Sequence, residues 1–300
     1  GLDVVDDLGF TGPQRALDDR LSLPPRPTGK VTLTGQSSVA LADTAAITDV
    51  NATGNDFTAT GGDAIAIDGT AASGATLTDV DVERNLLNES SGSALSVGTG
   101  SGTLDVTNLN VSGSDLGDGG AGIGINVGGT STISNVNVSD NALNGSSGTG
   151  VMIATDGSSE VTDVSLTNVN ATGNEAGLEL VAQSESTISG LSTNTIGFES
   201  NDTAGAIVAN DNATIEDLAF ASTGFNESGS AGLVIQSSDG SLVSGVSLDT
   251  VDARNNTNGL VVVAQNDSTI SGLSTDTVGF ESDNNAAVIQ AGASSDANAT

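Results

Sequence analysis

Leu178-Glu179-Leu180-Val181-Ala182-Gln183 runs into Ser186-Thr187-Ile188-Ser189-Gly190-Leu191-Ser192 and then into Thr195-Ile196-Gly197-Phe198-Glu199-Ser200. The same text returns 82 residues later, as Val261-Val262-Val263-Ala264-Gln265, Ser268-Thr269-Ile270-Ser271-Gly272-Leu273-Ser274 and Thr277-Val278-Gly279-Phe280-Glu281-Ser282. A shorter period lies inside the long one. Apolar runs preceded by small residues begin at Ile65, Leu95, Ile123, Val151, Leu178, Ala206, Leu233, Leu260 and Val288, 27 to 30 residues apart. A fixed spacing of that size predicts stacked supersecondary units that touch only their neighbours, rather than one closed globule.

Within a unit the pattern is that of short strands. Val161, Val164, Leu166, Val169 and Ala171 in one unit match Val243, Val246, Leu248, Val251 and Ala253 in another. Steps of two are strand alternation, and steps of three mark corners. β-Branched residues, Gly, Asn, Asp and Ser dominate, which disfavours helices of useful length. All four prolines (Pro13, Pro24, Pro25, Pro27) precede residue 31, so every backbone N–H in the repeats remains available to a sheet ladder. Residues 1–30 therefore read as an N-terminal cap or linker and residues 31–300 as the repeat domain. If each unit pairs with the next at the strand spacing, nine coils form a rod about 43 Å long.

Runs such as Val169-Asn170-Ala171-Thr172-Gly173-Asn174-Glu175-Ala176-Gly177-Leu178 and Val251-Asp252-Ala253-Arg254-Asn255-Asn256-Thr257-Asn258-Gly259-Leu260 carry a resemblance to the right-handed parallel β-helix of pectin-lyase-like proteins. The resemblance implies an all-β solenoid of about nine coils with three strand faces per coil. A left-handed β-helix would need strict hexapeptides, and a β-sandwich array would need alternating hairpins; neither pattern is present. The core stack is expected to include Leu178, Leu180, Ile188, Leu191, Leu233, Ile235, Val246, Leu248 and Leu260. Asn55, Asn85, Asn141, Asn174, Asn201 and Asn256 each follow an inward position by three residues and are expected to form a structural Asn ladder at corners. The first three precede the anchor strand by ten residues and the last three by four or five, which leaves one corner or two as open readings.

The chain holds 38 acidic and 6 basic residues, for a formal net charge of −32, and lacks Cys, His, Trp and Tyr. Disulfides and thiol metal sites are excluded. Nucleic acid and anionic membranes need clustered Lys and Arg, so neither is an expected partner, and no stretch suits direct membrane insertion.

Catalysis finds little to use. The polysaccharide lyases of the resembled family use Arg or Lys as base beside calcium, and past residue 30 only Arg84 and Arg254 are available. The family's hydrolases use clustered Asp with His, and His is absent. Asp79 and Asp81 could form an acid–base pair, although so acidic a chain makes such pairs by composition. Sugar stacking wants exposed Trp or Tyr; the aromatics are Phe10, Phe57, Phe198, Phe220, Phe225 and Phe280, the last four at inward or near-inward positions. One outward file reads Thr76, Thr103, Thr132, Glu160, Thr187, Thr214, Leu242 and Thr269, with Thr78, Asp105, Ser134 and Thr162 beginning the file two residues on. It resembles the ice-binding face of β-helical antifreeze proteins, interrupted by acids. Asn-x-Ser/Thr triplets recur, as at Asn51, Asn110 and Asn266, and would matter where a surface glycosylation system operates.

These readings favour a non-enzymatic extracellular structural protein, either the β-helical stalk of a surface adhesin or a subunit of an extended surface filament. Its composition is similar to passenger regions of autotransporter-type proteins, and Arg20-Leu21-Ser22-Leu23-Pro24-Pro25-Arg26 resembles the barrel-to-passenger junction of inverse autotransporters. The start at Gly1 suggests a processed or excerpted product. Asn298-Ala299-Thr300 stops one residue short of the next inward position, so the C-terminal end should continue into further coils or stack on a neighbour or a second copy. Cell-surface or matrix components are the other expected contacts. No cofactor is expected beyond loosely held divalent cations such as Ca2+. A polysaccharide-active lyase or hydrolase is the alternative, and an ice- or cation-binding surface module the further one.

Overall fold

The computed structural model describes residues 8–9, 20–22, 31–32, 37–56, 62–87, 90–117, 119–199, 202–292 and 296–299. Among them every element is a β-strand, and all strands join one parallel sheet system that winds into a solenoid of about nine turns. Like sits over like. On one side of the coil Ile67, Val97, Ile125, Ile153, Leu180, Ile207, Ile235, Val262 and Ile289 stand in register. On the next side the column is Ile47, Leu77, Val106, Ile133, Val161, Ile188, Ile215, Val243 and Ile270. A third side carries Ala52, Val82, Val111, Val138, Leu166, Thr193, Phe220 and Leu248. Apart from Ile289, which is 53% exposed, these side chains are buried, and with the exception of Thr193 they belong to one continuous hydrophobic core. Leu178, Leu180, Ile188, Leu191, Leu233, Ile235, Val246, Leu248 and Leu260 are all buried in it.

The corner between the second and third sides shows how sequence sets geometry. Asp49, Asp79, Asn108, Asn135, Asp163, Gly190, Asp217, Gly245 and Gly272 occupy one register position, and all have positive φ, between 54° and 68° for the Asp and Asn and between 63° and 69° for the Gly. Only Asp, Asn and Gly are used there, the residues that enter the left-handed region at least cost. The three-residue steps between inward side chains, such as Leu77 to Val80 and Ile188 to Leu191, straddle this corner.

The first column departs from its expected members. It reads Ile65, Leu95, Ile123, Val151, Leu178, Gly205, Leu233, Leu260 and Ala287. Ala206 and Val288 thus sit one residue past it and face outward, because a slip of one residue turns a strand side chain over. The pattern hid Gly205 because the space of a leucine there is taken by Phe225: a Cβ built on Gly205 would lie 2.5 Å from Phe225 Cε1. Phe225 stacks on Phe198 with centroids 5.5 Å apart and meets Phe220 edge-on at 5.7 Å. Phe280 is partly buried against the core, while Phe10 and Phe57 lie outside the described residues.

Most of the expected N-terminal cap or linker also lies outside them. Its described parts are strands: Leu8–Gly9 pairs with Val31–Thr32, and Arg20–Ser22 pairs with Ser38–Ala40, both in parallel. Among the described residues no helix is long and apolar enough to cross a membrane.

Carboxylates file up on successive coils at the corner that ends the first side, where the Glu185 N–H donates to Asp211 O and the Asn212 N–H to Asp239 O. Like charges one coil apart, about 4.8 Å, repel, and salt screens that repulsion. The melting temperature should therefore rise with NaCl; a thermal melt indifferent to ionic strength would contradict this.

Candidate functional site

The asparagines occupy two corners. In the N-terminal coils, Asn85 Oδ1 accepts the Asn55 N–H at 2.9 Å while Nδ2 donates to Ala52 O at 2.8 Å. Asn141 repeats this with Ser114 N–H and Val111 O. From Ser146 onward the motif moves to another corner, where Asn174 binds Ser146 N–H and Leu143 O, and Asn256 binds Ser228 N–H and Phe225 O. In each case the amide replaces a strand partner for two backbone groups of the preceding coil. Asn201 lies outside the described residues.

Serines fill some rungs, with different results. Ser114 Oγ accepts the Asn85 N–H and donates to Ser112 O. Ser146 Oγ and Ser228 Oγ are buried without a partner. Removing Asn256 would strand two buried backbone groups, so Asn256→Ala should cost about 2 kcal/mol. Ser146→Ala removes an orphan hydroxyl and should leave stability unchanged or slightly raised. Urea melts of both variants check this, and equal losses would contradict the ladder.

A second polar file went unread in the sequence. Ser131, Ser159, Ser186, Ser241 and Ser268 are buried at the corner after the first side. Ser159 Oγ donates to Val127 O at 2.8 Å, and Ser268 Oγ donates to Ser237 O at 2.6 Å. Their 27- or 28-residue repeats were the available signal, masked by the abundance of serine.

The sequence's catalytic candidates are tied into the scaffold. Asp79 Oδ1 accepts Asn108 Nδ2 at 2.7 Å, and Asp81 Oδ1 accepts Asn110 Nδ2 at 3.3 Å, each as the end rung of an outward ladder. Arg84 lies 3.6 Å from Glu83, and the Arg254 Nε lies 2.7 Å from Asp252 Oδ1; both arginines are exposed. The Arg254 contact is an ion pair without hydrogen-bond alignment, because the same oxygen has no hydrogen-bond partner. Among the described residues no group of three or more Asp and Glu is placed to hold a metal ion.

The threonine file needs one correction. Asp105, not Thr103, stands beside Thr76, and Thr107 beside Thr78. The step here is 29 residues, with an irregularity between Ser73 and Ala75, so a constant step of 27 picks the wrong partner.

One concave feature lies on the first side. Gly100, Asn126, Val127, Gly128, Ala154, Thr155, Asp156, Val181 and Gln183 line a groove of about 410 Å3. Asn126, Ala154 and Val181 are consecutive members of one outward column, so the groove crosses coils and runs along the rod axis. Asn126, Asp156 and Gln183 are exposed, while Ala154 and Val181 are half-buried. Past the groove the column continues as Val208, Gln236 and Val263. The parallel outward column reads Met152, Glu179, Ala206, Val234, Val261 and Val288. Beyond Gly124, Glu179 is the one acid in either column, in a chain with 38 acids.

No family model matches the sequence, and no curated protein does. The chain is similar to solved structures of other β-helices. One is a catalytic domain of GH87 alpha-1,3-glucanase in complex with nigerose, at 11% identity and a TM-score of 0.30, covering 95% of this chain and 70% of that one. Another is endopolygalacturonase I from Stereum purpureum complexed with two galacturonate, at 16% identity and a TM-score of 0.32, covering 88% and 96%. That the fold is a parallel β-solenoid rests on the strand pairing of the chain itself.

Two expectations are corrected at this point. The reading as a non-enzymatic adhesin stalk or filament subunit and the exclusion of enzyme activity are withdrawn, since the similar solved structures are described as a glucanase catalytic domain and an endopolygalacturonase. The missing His and the scarcity of Arg had excluded particular catalytic sets, which is narrower than excluding catalysis.

Proposed function

We propose that this chain is a polysaccharide-active β-helix that holds a glycan strand in the groove across Asn126, Ala154 and Val181. The observation that carries the reading is the groove itself. It is open, it runs with the rod axis, and it combines two side-chain amides, one carboxylate and small residues that allow close approach. Asn126 and Gln183 can both donate to and accept from sugar hydroxyls, and Asp156 can accept from them. In a hydrolytic reaction Asp156 is the lining residue able to act as acid or base. Glycoside hydrolysis uses two carboxylates, and the lining supplies one, so these residues account for holding a glycan and for half of a hydrolytic pair. We also propose an extracellular location, where a polymeric substrate is met.

The test is a panel of soluble polysaccharides assayed for binding by affinity electrophoresis and for cleavage by release of reducing ends. Asn126→Leu with Gln183→Leu should weaken binding, whereas Asp156→Asn should weaken it only modestly and lower whatever release of reducing ends the parent shows. Failure to bind any glycan, or cleavage untouched by Asp156→Asn, would sink the reading.

A further inference from the structure

The chain concentrates its acids on corners and on the other sides, yet the outward columns of the first side are nearly free of charge. Val181, Val208, Val234, Val261 and Val263 are half-buried and on outward positions of the strands. Val181 and Val208 are register partners on successive coils, as are Val234 and Val261, and Gln236 stands between Val208 and Val263, so the two columns together form an apolar strip interrupted by one amide, a feature that marks an interaction surface rather than a solvated face. The strip is continuous with the groove, because Val181 belongs to both. It is flat along the axis at the strand spacing, and it has no cation to pair with an acidic ligand. Arg84 and Arg254 are each held against a neighbouring carboxylate, Glu83 and Asp252, away from these columns.

We infer that the occupant of this face is an uncharged glycan whose strand leaves the groove at Val181 and continues over Val208, Val234 and Val263. The inference rests on the groove being the glycan site. A polyuronate would bring anions to a chain of net charge −32 without a single basic contact along the way. A neutral sugar presents C–H faces to the valines and hydroxyls to Asn126, Gln183 and Gln236, and meets no repulsion. A second copy of the chain is a poorer occupant, since facing strips would bring two bodies of the same large charge together.

The experiment measures binding of neutral glucan oligosaccharides, short and long, and of polygalacturonate, to the full chain at low and high NaCl. Calorimetry of the parent should show neutral oligomers binding with a Kd insensitive to salt and tightening with length beyond the groove. A Val234→Asp/Val263→Asp pair should weaken the long oligomers about tenfold and leave the short ones unchanged. A Val234→Lys/Val263→Lys pair should give the same loss, which separates lost apolar contact from added negative charge and serves if the Asp pair melts early. Polygalacturonate bound as tightly as glucan would overturn the uncharged class while leaving the groove reading intact. Equal Kd for short and long oligomers would overturn the strip. So would a concentration-dependent dimer in sedimentation that both pairs abolish. Binding of no glycan would overturn the groove reading, and this inference with it.

Discussion

Leu248→Asp should abolish the cooperative melting transition. Leu248 is fully buried and stacks between Phe220 and Thr275 in the third-side column. A carboxylate there meets aliphatic and aromatic neighbours, with no basic side chain in the core to pair with it. Burying an unpaired charge costs several kcal/mol even after relaxation, and protonation trades part of that for an orphan polar group. The damage should extend past one coil, because each coil's stability includes the interface with its neighbours. Val208→Thr, on an outward and half-exposed site, should change stability by less than about 0.5 kcal/mol. Circular dichroism melts of the two variants decide the matter, and equal tolerance would refute the inward assignment of Leu248.

Phe225→Ala should destabilise by about 3 to 5 kcal/mol, through lost burial and the cavity left behind. Phe225 fills the space of its own column and also the space that Gly205 leaves in the next one. Gly205→Leu alone should also destabilise, since its Cβ would fall within 3 Å of two Phe225 ring atoms. Combined, the substitutions exchange one large side chain for another across the gap. The pair should lose less than the sum of the single losses, with a coupling of about 1 to 3 kcal/mol. Additive losses in a urea-denaturation cycle would show that the two sites do not share a cavity.

Gly205 also explains where sequence reading stopped short. The solenoid, its period and its strand faces were legible because the columns are written in Ile, Leu and Val at near-constant steps. The period fails to locate inward positions where packing is traded between columns, as at Gly205 and Ala206, or where the step changes to 29, as at Asp105. The Asn corners were legible as motifs, but the move from the Asn141 corner to the Asn174 corner needed the hydrogen bonds to appear. The groove was not legible at all. Its lining residues are far apart along the chain, and none is unusual for its own strand; the site exists only as a column. Composition said least about function, because absent His and Trp speak against particular catalytic and stacking modes and leave a polysaccharide-active β-helix open as the alternative.

The left-handed corner at Asp49, Asp79, Asn108 and their counterparts has a consequence for how such a chain can lengthen or shorten. Every lateral contact links residues one full winding apart, so a winding has no privileged first residue. Adding or deleting a whole winding, cut at any phase, returns each Asp, Asn or Gly to the bend that requires it. An insertion of some other length would put a valine at the bend and a glycine in the interior from that point onward, unless a loop outside the columns takes up the difference. Length in this molecule can therefore change in whole windings, and the 82-residue near-copy spans three of them.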